Sequence, residues 1–182
     1  MGPYKFWGEN KSVYSDDNKN LPGIYLWTFK TDKGYMIHYV GQTTNFAERH
    51  KTHLVNILGL SYGIFDADEA QRGIQKIIWK GLWRDKKSLS FNGELKTVYS
   101  SIHSDTIKYI DSIDIFFAEL EESNNLRTHV EGSIGWNLRN NHKEFKALYP
   151  DDNHIGMSRL LGWKLRILNS SDILGLDNEI DI

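Results

Sequence analysis

The chain contains no cysteine. That excludes disulfides, thiolate metal sites and cysteine nucleophiles outright. Proline is scarce, at 3 of 182 residues, so few positions forbid a regular backbone. No hydrophobic run comes near the roughly 20 apolar residues of a membrane span, and the opening MGPYKFWGEN lacks the apolar stretch of an export signal. Gly2 opens no myristoylation motif, because Phe6 stands where Ser or Thr is needed. The cytoplasm is therefore the expected location, with no membrane partner. Excess charge is also lacking: 22 Lys and Arg against 24 Asp and Glu leave a net charge of −2. Binding to nucleic acid would then depend on a local positive surface rather than on the whole molecule.

What is present is enough for a core: 40% of residues are hydrophobic and 13% aromatic, in a length that suits one domain with an extension. Residues 1–20 read as a polar arm, ordered if it packs, and residues 149–182 as a C-terminal extension. Between them, two aromatic-rich strands over 23–31 and 35–43 precede the clearest helix, 44–58. Asn45 can cap that helix with Glu48 three residues on, and Phe46, His50, Leu54, Ile57 and Leu58 share one side. An insertion over about 60–98 follows. Its segment IQKIIWKGLWR suits a helix with Ile74, Ile77, Ile78 and Leu82 inward, or else a strand, because Gly73 and Gly81 weaken helical order. A short helix over 104–113 and a third, central strand over 114–120 come next. A helix capped by Asn124 or Asn125 then runs to about Asn141, with Leu126, Val130, Ile134 and Leu138 on its apolar side and Trp136 off it. Residues 157–167 suit either helix or strand. The sum is one mixed α/β domain of the α+β kind.

The stretch GIYLWTFKTDKGYMIHYVG, from Gly23 to Gly41, places a tyrosine beside a glycine near each end of the hairpin. A three-residue loop, Asp32-Lys33-Gly34, would pair Thr31 with Tyr35, Trp27 with Tyr39 and Tyr25 with Gly41. Tyr25 and Tyr39 would then share a face as diagonal neighbours, about 7–8 Å apart. A two-residue Lys33-Gly34 turn would shift the register and set them on opposite faces.

Gly23-Ile24-Tyr25 and Tyr39-Val40-Gly41, followed by a helix with Arg49 and, one turn on, His53, resemble the GIY-YIG nuclease family. A later helix supplies Glu131, where the family carries a metal-binding glutamate. The resemblance implies a GIY-YIG domain over 21–148, built on a small three-stranded, mainly antiparallel sheet flanked by helices. It implies phosphodiester hydrolysis with Tyr25, Tyr39, Arg49, His53 and Glu131 as site residues, and one divalent ion, Mg²⁺ or Mn²⁺, on Glu131. DNA is the expected partner, and a homodimer is a possible assembly. In that scheme Tyr25 is the general base, and a cation among Lys30, Lys33 and His38 lowers its pKa from the ordinary value of about 10. Arg49 grips the phosphate, while Tyr39 and His53 orient water or phosphate. The family's asparagine beyond the glutamate falls at Lys143, with Asn137, Asn140 and Asn141 short of it. The alternative is a non-catalytic nucleic-acid-binding protein of the same fold.

Independently of the resemblance, Arg49 and His53 lie one helical turn apart, near the margin of the apolar stripe, and Glu131 borders the stripe of its own helix. Lys76, Lys80, Arg84, Lys86 and Lys87, interleaved with Trp79 and Trp83, form a local basic segment. On a helix, Lys76, Lys80 and Arg84 would make a row able to follow phosphates. A solvated face over core tryptophans is the ordinary explanation of the same pattern. Arg159, Lys164 and Arg166 make a weaker second cluster. No HExxH motif and no P-loop is present, and His50 and His53 have no evident third ligand nearby.

Overall fold

The structure, a computed structural model, describes residues 1–8, 11–14, 20–82, 91–142 and 162–182. Strands β1 (Gly23–Thr31) and β2 (Gly34–Thr43) form the hairpin, and β5 (Ile113–Glu119) pairs antiparallel with β1. A short strand, β7 (Ile173–Leu174), adds parallel to β2, giving a four-stranded sheet of order β5-β1-β2-β7. The C-terminal residues thus complete the sheet, which is wider by one strand than the three expected. β1 and β2, not β5, are the interior strands, and Gly23–Phe29 of β1 are all buried. The apolar run of β5 is explained by its other edge, where Tyr4 exchanges backbone hydrogen bonds with Ile115 and the amide of Phe117 donates to Met1. The N-terminal arm does pack: Tyr4, Phe6 and Val13 are core residues.

The hairpin reaches the expected pairing of Trp27 with Tyr39 by a different route. Thr31 pairs with Gly34 across a two-residue turn, Asp32-Lys33, not with Tyr35 across three. The Thr31 hydroxyl holds this turn, donating to the Gly34 carbonyl (2.9 Å) and accepting from the Lys33 amide (3.2 Å). Gly34 has φ +139°, and a Cβ there would press on the Asp172 carbonyl and Leu174, which glycine alone avoids. That register would pair Tyr39 with Leu26 and turn it to the opposite face. A bulge at His38 prevents this: Thr28 pairs with Ile37, Trp27 with Tyr39, and His38 is the extra residue. His38 and Tyr39 therefore both project to the side that carries Tyr25 and Trp27, whereas neighbours in a regular strand face opposite sides.

Alternation along β1 sorts two cores. Tyr25, Trp27 and Phe29 pack with Phe46, Ile57, Tyr109 and Ile110 from helices α1 (Phe46–Leu58) and α3 (Phe91–Ser112). Ile24 and Leu26 pack with Val130, Ile134 and Leu138 from α4 (Asn124–Asn141). The short helix expected at 104–113 is the end of the 22-residue α3. Ser123, one residue before the expected caps, caps α4 by accepting from the Leu126 amide. On α1, Phe46, His50, His53 and Ile57 are the buried residues, so the stripe includes His53 and leaves Leu58 39% exposed.

Of the segment 74–84, open between helix and strand, Ile77–Trp79 forms strand β4, antiparallel to β3 (Ile64–Phe65), beyond the short helix α2 (Ala67–Gln71). Gly73 and Gly81 flank it at φ +79° and +87°, conformations that a helix does not contain. Near the C-terminus, β6 (Lys164–Arg166) pairs with β8 (Glu179–Asp181), which decides for strand over that part of 157–167. Trp83, Arg84, Lys86, Lys87 and Arg159 lie outside the described residues. Among the described residues, no helix is long and apolar enough to cross a membrane.

Candidate active site

Tyr25 is fully buried, and its ring stacks with that of Tyr39 at 6.0 Å between centroids and 26° between planes. The glycine opposite makes this possible. A Cβ on Gly41 would fall within 2.7 Å of the Cζ, Oη and Cε2 atoms of Tyr25, so the space of a side chain there is filled by the phenol. Tyr39 is only partly buried. Of the two phenols it is the one with access to solvent.

Helix α1 delivers the nitrogen groups. Asn45 caps it by accepting from the Glu48 amide (3.0 Å), while its own N–H donates to Thr43 rather than to Glu48. The expected capping box is thus half-formed, and the Thr43 contact ties the helix start to the end of β2. From this anchored end, Arg49 donates through Nε to Tyr25 Oη at 3.2 Å and also bonds the Tyr39 phenol. His53, one turn on and 1% exposed, sets Nε2 2.7 Å from Tyr25 Oη. It therefore holds the inner phenol instead of facing water or phosphate. His50 lies behind both: its Nδ1–H donates to the Phe46 carbonyl (2.8 Å), and its Nε2 accepts from Trp27 Nε1 (3.2 Å).

These contacts fix protonation. Burial, then the charge of Arg49, pushes His53 well below the ordinary histidine value, and burial pushes His50 down to about 4. Both are neutral at pH 7. Burial raises the Tyr25 phenol well above 10, with Tyr39 adding to it and Arg49 opposing, while Tyr39 rises mainly through burial, against the pull of Arg49. Burial works against the charge of Arg49, but the two phenols together outweigh it, so its pKa is raised and the guanidinium stays ionised.

His53 Nδ1 is buried and has no hydrogen-bond partner among the described residues. A bare lone pair there is easier to bury unpartnered than an N–H. His53 then carries its proton on Nε2 and donates to Tyr25, which in turn donates to Tyr39. Tyr39 ends this chain as the acceptor. The cation beside Tyr25 is Arg49, not Lys30, Lys33 or His38. Lys30 lies 5.9 Å over the Tyr35 ring, Lys33 sits in the turn at the far end of the hairpin, and His38 bonds the Tyr109 hydroxyl at 2.9 Å.

Glu131 approaches from α4. Its partly buried carboxylate accepts the backbone N–H of Gln42, and it feels the charge of Arg49 without forming an ion pair. Burial, only partly offset by Arg49 and the Gln42 amide, pushes Glu131 up to about 7. The side-chain oxygen of Gln42 is buried with no hydrogen-bond partner among the described residues. No group of three His, Cys, Asp or Glu able to hold a metal occurs among the described residues. A transition-metal centre does not fit such a donor set. A hard ion that keeps most of its water shell does, with a carboxylate and an unpartnered carbonyl oxygen to meet it. Sequence reasoning missed Gln42; its only signal was a polar residue directly after Tyr-Val-Gly.

No family model matches the chain, nor does any curated protein or solved structure. Five of the expected residues converge; the others do not. Asn137 is buried and committed to Asp177 (2.8 Å), which also holds His142, while Asn141 bonds Asn137 and Asn140 donates to the Trp136 carbonyl. These asparagines fasten the C-terminal segment and the helix end. Lys76 is paired with Asp66 at 2.8 Å, and Lys80 follows β4, so the expected helical row does not form.

Proposed function

We propose that this protein is a metal-dependent endonuclease of the GIY-YIG type that hydrolyses phosphodiester bonds in DNA, with one Mg²⁺ or Mn²⁺ ion held at Glu131. The observation that carries this reading is the linkage of both phenols to one guanidinium, with a lone carboxylate in its field. Arg49, held ionised and aimed by the two tyrosines, is suited to bind non-bridging oxygens of the scissile phosphate. Tyr39, partly exposed and the last acceptor in the proton chain, is better placed than the sealed Tyr25 to take a proton from the attacking water. Tyr39 must first lose its own proton to solvent; hydrogen bonds from Tyr25 and Arg49 would stabilise that phenolate, which then takes the proton of the water and returns to the neutral phenol. The water oxygen bonds to phosphorus, the bond to the leaving sugar oxygen breaks, and that oxygen takes a proton from solvent. A divalent ion, when bound, supplies positive charge to the developing negative charge on the phosphate. His53 and His50 are positioning residues. One such centre cuts one strand, so a double-strand break requires two chains or two successive cuts.

A binding-only protein of the same fold is the second reading. It is favoured by the raised pKa of both phenols, which keeps them protonated at neutral pH. Supercoiled plasmid separates the two. The nuclease reading expects Mg²⁺-dependent nicking that falls by at least about 100-fold in Arg49→Ala and in Glu131→Ala. Wild-type protein that binds plasmid and leaves it supercoiled supports the second reading and ends the first.

A further inference from the structure

Two buried side-chain atoms at this site lack a hydrogen-bond partner among the described residues, and they differ in kind. His53 Nδ1 is a nitrogen whose protonation state can adapt, since neutral imidazole places its one proton on either ring atom. Gln42 Oε1 has no such freedom: an amide oxygen is always an acceptor. It is withdrawn from water, and the guanidinium of Arg49, the cation of the site, is bonded to Tyr25 and Tyr39. Gln42 is also fixed beside the metal-binding candidate, because its backbone N–H is the donor that Glu131 accepts. One residue at the end of β2 thus anchors the carboxylate with its main chain and carries an unpartnered oxygen on its side chain.

We propose that the side-chain carbonyl oxygen of Gln42 is a second protein oxygen for the divalent ion at Glu131. This rests on the nuclease reading and adds to it a ligand that a lone glutamate would not supply. The chemistry suits the ion: Mg²⁺ and Mn²⁺ favour hard oxygen donors, amide carbonyls included. It also suits the substrate. One carboxylate and one neutral amide leave a divalent ion with net positive charge, whereas a second carboxylate would cancel it. In a chain whose formal charge is −2, that residual charge adds to the Arg49 guanidinium in drawing in a phosphate.

The test is a Mn²⁺ titration followed by electron paramagnetic resonance, on the full chain and without nucleic acid, alongside thermal melting in chelator. Gln42→Leu is expected to weaken Mn²⁺ binding by about 10-fold or more, and to melt in chelator no lower than wild type, because the unpartnered oxygen is gone. Gln42→Glu guards against a misfolded leucine variant and should bind Mn²⁺ more tightly than wild type. A merely structural glutamine predicts the reverse, a lower melting point in chelator with Mn²⁺ affinity unchanged. If Gln42→Leu and Gln42→Glu both titrate like wild type while Glu131→Gln loses the ion, the inference is overturned and the nuclease reading stands. If wild type shows no saturable Mn²⁺ binding, both are overturned.

Discussion

The two faces of the central sheet are built from the same strand by opposite rules. On the α4 side, Ile24 and Leu26 meet Val130, Ile134 and Leu138, and nothing but volume is matched. On the α1 side, Tyr25 and Trp27 are as deeply buried as those aliphatics, yet each carries a polar atom with a named partner: Tyr25 with Arg49 and His53, Trp27 with His50. The first face can trade one hydrocarbon for another with modest loss. The second cannot, because removing any member leaves a buried donor or acceptor stranded. Polar partnering is thus concentrated on one face of β1, where Tyr25 and Trp27 are both core residues and hydrogen-bonded members of the site, while Ile24 and Leu26 serve packing alone.

The sharpest way to break this contrast is Gly41→Ala. The added methyl has no room except that occupied by the Tyr25 ring, which is itself walled in. Displacing the phenol by about 1 Å disturbs its bonds to Arg49 and His53 together, and misplacement of that size costs about 100-fold in rate. Nicking should fall that far in protein that still melts cooperatively. An alanine variant that nicks at wild-type rate would mean that Tyr25 is not needed where it lies. The matching change on the other face is Leu26→Ala. It should destabilise the fold by about 2–5 kcal/mol in urea denaturation, while nicking per folded molecule stays within about two-fold of wild type. A large loss of rate in this variant, at a temperature where it remains folded, would show that the two faces are not independent.

How far the sequence alone discloses this arrangement differs between its parts. Tyr25, Arg49 and His53 were legible because they sit on elements with strong local signals: a β-rich strand and a helix with its cap at Asn45. Tyr39 was placed on the correct face from a wrong turn. Nothing in the spacing signals that Thr31 closes the loop one residue early, or that His38 bulges to restore the register. The bulge is fixed by tertiary contacts, His38 being inserted among Phe29, Phe65 and Tyr109. Long-range partners account for the other misses as well. Composition leaves β4 open between helix and strand, and pairing with β3 decides for strand. The C-terminal extension joins the sheet through two residues, Ile173 and Leu174, too few for any periodicity to reveal. Glu131 was legible as the border residue of a periodic helix, but its contact with the Gln42 amide depends on how α4 docks.

The smallest expected effect also divides along the same line, because the site holds buried titratable groups of both signs. His50, depressed to about 4, and His53, also depressed, are neutral in the folded protein while the unfolded chain begins to take up protons near 6.5. Their contribution to stability is therefore complete above pH 6.5 and is lost as pH falls toward 4. Glu131, raised from 4.5 to about 7, acts in the other direction: the folded state binds its proton first, so its contribution is present below pH 4.5 and is lost as pH rises through 7. Two histidines oppose one carboxyl, so in chelator the melting temperature should fall between pH 6.5 and 4, less steeply than the histidines alone would dictate. Glu131→Gln removes the opposing group. That variant should melt higher than wild type at pH 8, where wild type buries a carboxylate, and should lose stability more steeply on acidification. Parallel melting curves for the two proteins from pH 8 to 4 would mean that Glu131 is not desolvated in the folded state, and with it would go the reason for that carboxylate to recruit a cation.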